Sequence, residues 1–534
     1  MEGEGASIVS HAAAETRGMN SADEEPELPS AVQDLIRRLE GKGEPITRLP
    51  YLGGEEFQDF FPEIASPSTI TGWRSQVRLR VLEAIGSCKT LEVLDVEDIC
   101  GGEISMMTVS EWELVLRGFM SSTVLQEITL RGLEWISDEE VESLCLQIGR
   151  ILNTSSVTQL TIIRCRILSP RLSARCFLNL ASGLRGNSDS KLQSLELRDA
   201  WEDSSAVKHV ADMINSATGL ERLSLGYIDY MDKETVGILS QALIQSSSLK
   251  ELILKKLEWG AALLLNALAG DDSNRSIERL RLKRMNRLGD CLRELLTSNP
   301  SLMEVRLDDL RMSLEEWHQL GEVIRDNSRV TEIEIKVKCG YKQWNWESIE
   351  ALACAASSDV KDPTVELQLM TSNDHEVKLV LSLLGRVLRG EINSLKSFSI
   401  LARYPRNSGI NQDRPESVLA MNGKTAEPSV LKRLKIMAGN HDFWKGVWKD
   451  LLWCLRGNTS LTHLDLSGSD LDKESFRDLM GLLQVNLALR EIDVSATSLD
   501  TEGNAALIHC SFEKNLVSTT SLLWHTGGGN SNSP

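Results

Sequence analysis

Apolar residues along this chain recur in a short phrase, LxxLxL, and then, over a longer stretch, at every third or fourth position. The phrase stands at Leu91/Leu94/Val96, Leu125/Ile128/Leu130, Val157/Leu160/Ile162, Leu192/Leu195/Leu197, Leu220/Leu223/Leu225, Leu249/Leu252/Leu254, Ile277/Leu280/Leu282 and Leu302/Val305/Leu307. It continues at Val330/Ile333/Ile335, in reduced form at Leu367/Leu369, and then at Leu395/Phe398/Ile400, Leu431/Leu434/Ile436, Leu461/Leu464/Leu466 and Leu489/Ile492/Val494. Alternation at the end of each phrase predicts a strand with one face on an apolar core. The stretch that follows predicts a helix: after Asp472, KESFRDLMGLLQV places Phe476, Leu479, Leu482 and Leu483 on one side. Ser137 with Glu140, and Ser313 with Glu316, have the capping-box spacing that satisfies free amides at a helix start.

Each of about fourteen units, mostly 25 to 36 residues apart, therefore reads as strand, turn, helix. One such unit cannot bury both faces of its strand and the inner face of its helix, so neighbours must stack. The expected fold is an α/β solenoid, with parallel strands on a concave face and helices on the convex one. Three residues before many phrases stands a small polar residue: Asn274, Asn299, Asn327, Asn458 and Asn486, with Cys88, Ser122 and Ser246 in the same place. A side-chain amide there can bond the backbone of the turn entering each strand.

The pattern LxxLxLxx(S/G)xxLxxxxxxxLxxxLxxNxxLxxLxL resembles the leucine-rich repeat of the ribonuclease-inhibitor type, over about residues 77 to 515. That resemblance implies a horseshoe and protein recognition on its concave face. The stretch LREIDVSATSLDTEGNAALIHCSFEKN, residues 489 to 515, is similar to the end of the repeat array in plant TORNADO-type proteins, where a ROC-type GTPase module follows. Here LVSTTSLLWHTGGGNSNSP follows instead, without a GxxxxGK(S/T) loop.

The expected organisation is a disordered acidic N-terminus (1–30), a helical cap carrying AVQDLIRRLE and EEFQDFFPEI (31–76), and the repeat solenoid (77–515). Within the solenoid an irregular loop at 401–430 breaks the period, and a disordered tail (516–534) ends the chain. The strand at Leu489, Ile492 and Val494 is then expected to have a poorly covered outer edge, open to self-association.

Composition narrows the partner. With 58 Lys+Arg against 77 Asp+Glu, the 534-residue chain carries a net charge of -19, which argues against nucleic acid or an anionic membrane as a general partner. No signal-peptide order and no long apolar run appear, so a cytosolic or nuclear setting is expected. Ten cysteines lie scattered in apolar segments without CxxC pairs, as small buried hydrophobes do, and zinc is not expected. Asn153, Asn274 and Asn458 begin NxS/T triplets, two of which belong to the repeat grammar.

Catalytic chemistry finds no footing. Gly439–Asn440–His441–Asp442 resembles one metal block of calcineurin-like phosphoesterases, but the companion blocks are missing. There is no GxSxG, HExxH or phosphate loop, and eight dispersed histidines offer no base for a nucleophile. Trp444, Trp448 and Trp453, at near-helical spacing, read as a buried outer-helix face.

On the expected concave face, Lys250, Lys255, Arg279, Arg281, Lys283 and Arg306 form a basic strip in mid-array, with Asp95, Glu97, Asp465, Glu491 and Asp493 near the ends. The expected function is a non-enzymatic scaffold, free of cofactors, that binds a protein partner with an acidic surface. Reversing Arg281 and Arg306 is expected to slow association without lowering stability. The alternative is the sensor half of a larger GTPase or immune-receptor-like protein; a direct enzyme inhibitor or GTPase activator is a third reading.

Overall fold

The structure is a computed structural model. It describes residues 28–61, 70, 72–100, 107–131, 137–154, 156–164, 171–185, 190–201, 203–228, 232–257, 260–270, 274–327, 329–330, 332–339, 351, 364–369, 382–392, 395–402, 429–438, 442–469, 471, 473–495 and 517–519. The segment GNH at 439–441 and most of the loop at 401–430 lie outside the described residues, although Leu401 and Ala402 continue a strand.

The strands are β1 (Val93–Asp95), β2 (Glu127–Arg131), β3 (Gln159–Ile163), β4 (Ser194–Arg198), β5 (Arg222–Gly226), β6 (Glu251–Lys255), β7 (Arg279–Lys283) and β8 (Glu304–Asp308). They continue as β9 (Glu332–Cys339), β10 (Thr364–Leu369), β11 (Ser397–Ala402), β12 (Arg433–Ala438), β13 (His463–Asp465), β14 (Glu491–Asp493) and β15 (Val517–Thr519). All belong to one sheet in chain order, and every pairing is parallel. Each of the fourteen apolar phrases falls on one of β1 to β14, and helices pack side by side behind them. The chain is a leucine-rich-repeat solenoid. Its curvature follows from spacing: strands pair about 4.8 Å apart, whereas helices need about 8–10 Å between axes, so the sheet takes the inside of the curve.

In register, Leu252, Leu280 and Val305 sit opposite one another, as do Leu254, Leu282 and Leu307, and all six are buried. Each fully buried leucine contributes about 2 kcal/mol, and every coil repeats the contribution. The asparagine column behaves as its spacing predicts. The Asn299 amide donates to the carbonyls of Leu268 and Asn274, both at 3.1 Å, and its oxygen accepts from the Ser301 amide at 3.0 Å. Asn486 likewise donates to Leu455 and to Asn458, at 2.8 and 2.9 Å. Each coil is thus tied to the column residue of the coil before.

At two pairs of neighbouring helices, glycine sets the distance. A Cβ on Gly183, in α6 (Ala174–Arg185), would lie 1.8 Å from the carbonyl oxygen of Gly149 in α5 (Asp138–Thr154). Gly118 stands in the same relation to Gly86.

Four expectations need correction. The phrase in β10 is Val365/Leu367 rather than Leu367/Leu369, because these residues pair with Phe398 and Ile400 of β11. The leading apolar position there is Asp362, so only the alternation remained to be read, and a shift of two residues preserves it. On the other side, Val365 pairs with Ile335, one step of two residues beyond the register that runs from β1 to β9. The cap is helical only in part. α1 (Ser30–Leu39) buries Val32, Leu35, Ile36 and Leu39, but Phe57, Phe60 and Phe61 lie in turns, and the Thr47 carbonyl accepts the Glu92 and Val93 amides along the open edge of β1.

The third correction concerns the tail. β15 lies inside 516–534 and pairs with Glu491, Ile492 and Asp493, so the strand expected to be bare is covered. Its sequence VST has strand propensity but no leucine phrase, which is why the repeat pattern passed over it. The fourth concerns the tryptophans of the helix Asp442–Arg456: Trp448 is fully buried, whereas Trp453 is 63% exposed. Of the cysteines whose side chains are described, Cys88, Cys100, Cys145 and Cys176 are buried, and Cys291 and Cys454 are half-buried.

Candidate functional site

Strand alternation assembles the site. On β6, Leu252 and Leu254 point into the core, which leaves positions 251, 253 and 255 on the open face. The register sets Glu251, Arg279, Glu304 and Glu332 in one row across β6 to β9. Ile253, Arg281, Arg306 and Glu334 form the next, and Lys255, Lys283, Asp308 and Lys336 the third. Five of the six expected strip residues therefore share one surface. Lys250 does not: it precedes β6 in phase with the buried leucines, and it pairs with Glu221 at 2.8 Å.

The strip is not a field of free positive charge. Glu251, only 1% exposed, lies among Arg222 at 2.8 Å, Arg281 at 2.8 Å and Arg279 at 3.8 Å. Arg281 Nε and Glu251 Oε1 make no directed hydrogen bond despite their proximity, so that contact is electrostatic. Lys255 pairs with Glu196 at 2.7 Å, Lys283 with Asp308 at 3.1 Å, and Arg306 with Glu304 and with Glu334 at 3.3 Å. Charge reversal at Arg281 therefore bears on stability as well as on association: a carboxylate there would face the buried Glu251, which keeps Arg222 as a partner.

The acidic ends are paired as well. Asp95 lies 3.4 Å from Arg48 and 3.2 Å from Arg131, and burial nevertheless pushes its carboxyl up to about 6. Glu97 lies on the short helix Val96–Cys100 rather than on a strand. Asp465 meets Lys435 at 2.5 Å; burial raises its pKa, but hydrogen bonds from Lys435 and Ser467 prevail and hold it below the ordinary value. Glu491 lies 3.1 Å from His463. Asp493 accepts the Ser495 amide at 2.8 Å.

A second line of side chains has no apolar phrase to mark it in the sequence. Asp199, Tyr227, Lys256, Arg284 and Asp309 each stand two residues after the last leucine of a phrase, with φ of 50°, 58°, 49°, 54° and 56°. Each donates its amide to a carbonyl of the following strand, at 2.7 or 2.8 Å. For a residue with a Cβ this conformation costs about 1–2 kcal/mol. Gly468 occupies the same position after Leu466, with φ 71° and the same bond, to Ser495. That glycine is the sequence signal by which the column could have been found.

Tyr227 is the centre of the column. The Arg198 guanidinium stands 4.2 Å from its ring, the Lys256 ammonium 5.5 Å, and Arg284 Nη1 lies 3.4 Å from its hydroxyl. Among the described residues, no three His, Cys, Asp or Glu side chains gather as a group able to hold a metal ion, and no helix is long and apolar enough to cross a membrane.

Neither a protein-family model nor a curated protein matches the sequence. Solved structures do, at low identity. The chain is similar to one in the crystal structure of the Rad7 and Elc1 complex in yeast, with 16% identity over 78% of this chain and 84% of that one and a TM-score of 0.35. It is also similar to the leucine-rich-repeat-containing protein LegL7 from Legionella pneumophila, with 12% identity over 54% of this chain and 87% of that one and a TM-score of 0.34.

Proposed function

We propose that the chain is a non-enzymatic scaffold that holds a protein partner on the open face of its sheet. The observation that carries this reading is the ion-paired grid on β4 to β9. Lys255, Arg279, Arg281, Lys283 and Arg306 are all held by carboxylates from the same sheet. Long charged side chains ordinarily lose rotamer freedom when a partner orders them; here the pairs have ordered them already, which lowers the cost of association. A mixed-sign grid also selects a partner whose polar groups alternate to match, because a misplaced like charge costs several kcal/mol. Anchors among the grid residues would supply most of the affinity. The repeat half of a GTPase-linked protein rests only on the resemblance of residues 489 to 515 and gains no support from the geometry.

The test begins with capture of partners on the immobilised full chain. An identified partner is then titrated against the wild type and against a Lys255→Ala/Lys283→Ala double variant, which removes two half-exposed cations and spares the buried Glu251. A loss of about tenfold or more in affinity, with an unshifted melting temperature, is expected. Equal affinity for both chains rules out the sheet face as the binding surface.

A further inference from the structure

The column at the strand exits combines three observations, the first two of which the sheet-face grid does not share. The first is conformational. Left-handed backbone is required at this position in every coil that shows it, and glycine, the residue that adopts it without penalty, is used at 468. Aspartate tolerates the conformation comparatively well, but tyrosine, lysine and arginine do not. Three successive coils nevertheless carry Tyr227, Lys256 and Arg284 there. Strain retained where a strain-free residue is at hand points to a use for the side chain.

The second observation is charge. Arg198, Lys256, Arg287 and Arg311 form no ion pair with any carboxylate among the described residues, whereas every cation of the sheet-face strip does. Arg287 has positive φ as well, and Arg311 lies beside it through the Asn286–Arg311 bridge and the bond from the Arg287 amide to the Arg311 carbonyl. Lys256, Arg287 and Arg311 are exposed. The positive charge expected on the sheet is thus available one step further along, at its rim.

The third is geometry. From the coil of β4 to that of β8 the column crosses four strand spacings, about 19 Å, which is the length of about six residues of extended chain. We propose that this rim, centred on Tyr227, docks a short acidic segment of a protein partner in extended form, its carboxylates meeting Arg198, Lys256, Arg287 and Arg311 while its backbone lies against the tyrosine. The occupant follows from the charges: the rim attracts carboxylates, whereas a net charge of -19 on the whole chain disfavours a long polyanion that must run past the rim. This inference rests on the protein-binding reading but not on the sheet face as the place of contact.

A fluorescein-labelled oligoglutamate of about eight residues, titrated by anisotropy into the full chain, is the direct probe. Saturable binding is expected, weakening as salt rises. An Arg198→Ala/Lys256→Gly variant is expected to bind about tenfold more weakly, with a melting temperature that does not fall, since glycine removes the penalty at 256. The Lys255→Ala/Lys283→Ala variant is expected to stay within about twofold of wild type. Absence of saturable binding overturns the proposal. So does equal weakening by the sheet-face variant, or tighter binding of an oligothymidylate of the same charge. If oligoglutamate fails while a captured partner is still lost on changing Lys255 and Lys283, only the rim is wrong; if neither binds a folded chain, the protein-binding reading falls too.

Discussion

At the scale of single residues, the side chain of Asn299 replaces several backbone bonds that a turn between coils cannot make for itself. It donates twice to the preceding coil, accepts the Ser301 amide, and accepts the Ser301 hydroxyl at 2.8 Å. At about 0.5–1.5 kcal/mol for each bond, Asn299→Ala is expected to destabilise the chain by roughly 2–6 kcal/mol, read as a lowered melting temperature; a shift within error would show that water replaces the amide. The column was legible because its spacing from the leucine phrase is constant. Asp95 illustrates what was not. Sequence alone places it among surface charges, yet burial raises its carboxyl from 3.8 to about 6, against the pull of Arg131. A raised carboxyl binds its proton more tightly in the folded chain than in the unfolded one. Its contribution is therefore favourable below about pH 4 and is lost as pH rises through about 6. Asp95→Asn is expected to flatten the dependence of melting temperature on pH between those limits, and a slope identical to wild type would contradict the assignment.

At the scale of elements, the helices differ in how closely they approach, and glycine decides it. Gly183→Ala places a methyl group 1.8 Å from a backbone oxygen of the next helix, a clash no rotamer relieves. A loss of at least about 1–3 kcal/mol is expected. Gly237, exposed within the helix Lys233–Gln245, has no heavy atom within 4 Å of where a Cβ would go. Gly237→Ala is expected to raise stability by up to about 1 kcal/mol, because alanine is the better helix former and nothing obstructs it. Thermal melts of the two variants should move in opposite directions, and movement in the same direction would mean that helix propensity, not packing, dominates. Helix and strand were legible from periods of 3.6 and 2 in the apolar positions. The approach of two helices was not, because a glycine in a helical pattern looks the same whether a neighbour touches it or water does.

At the scale of the molecule, the repeat made the architecture readable from end to end, since one missed phrase changes little in an array of like units. The site was readable only as a set of cations. Their carboxylate partners are distant in sequence, Glu196 lying 59 residues from Lys255, Glu251 30 from Arg281 and Glu334 28 from Arg306, and no linear pattern joins them; the register does. The register also changes once. Rows of equivalent positions run unbroken from β1 to β9 and resume from β10 to β15 two residues out of step, a displacement of about 6.6 Å along the strands. The strands stay paired throughout, so it is the leucine phrase that slips by two residues against a continuous sheet. Glu334, in the middle row of the first block, is followed by Thr364, which opens the strands of the second. A rigid object lying straight along the middle row of the first block therefore passes from Glu334 onto Thr364, Ser397 and Arg433, each just before the central apolar position of its phrase, and so meets a different set of repeat positions without leaving its row.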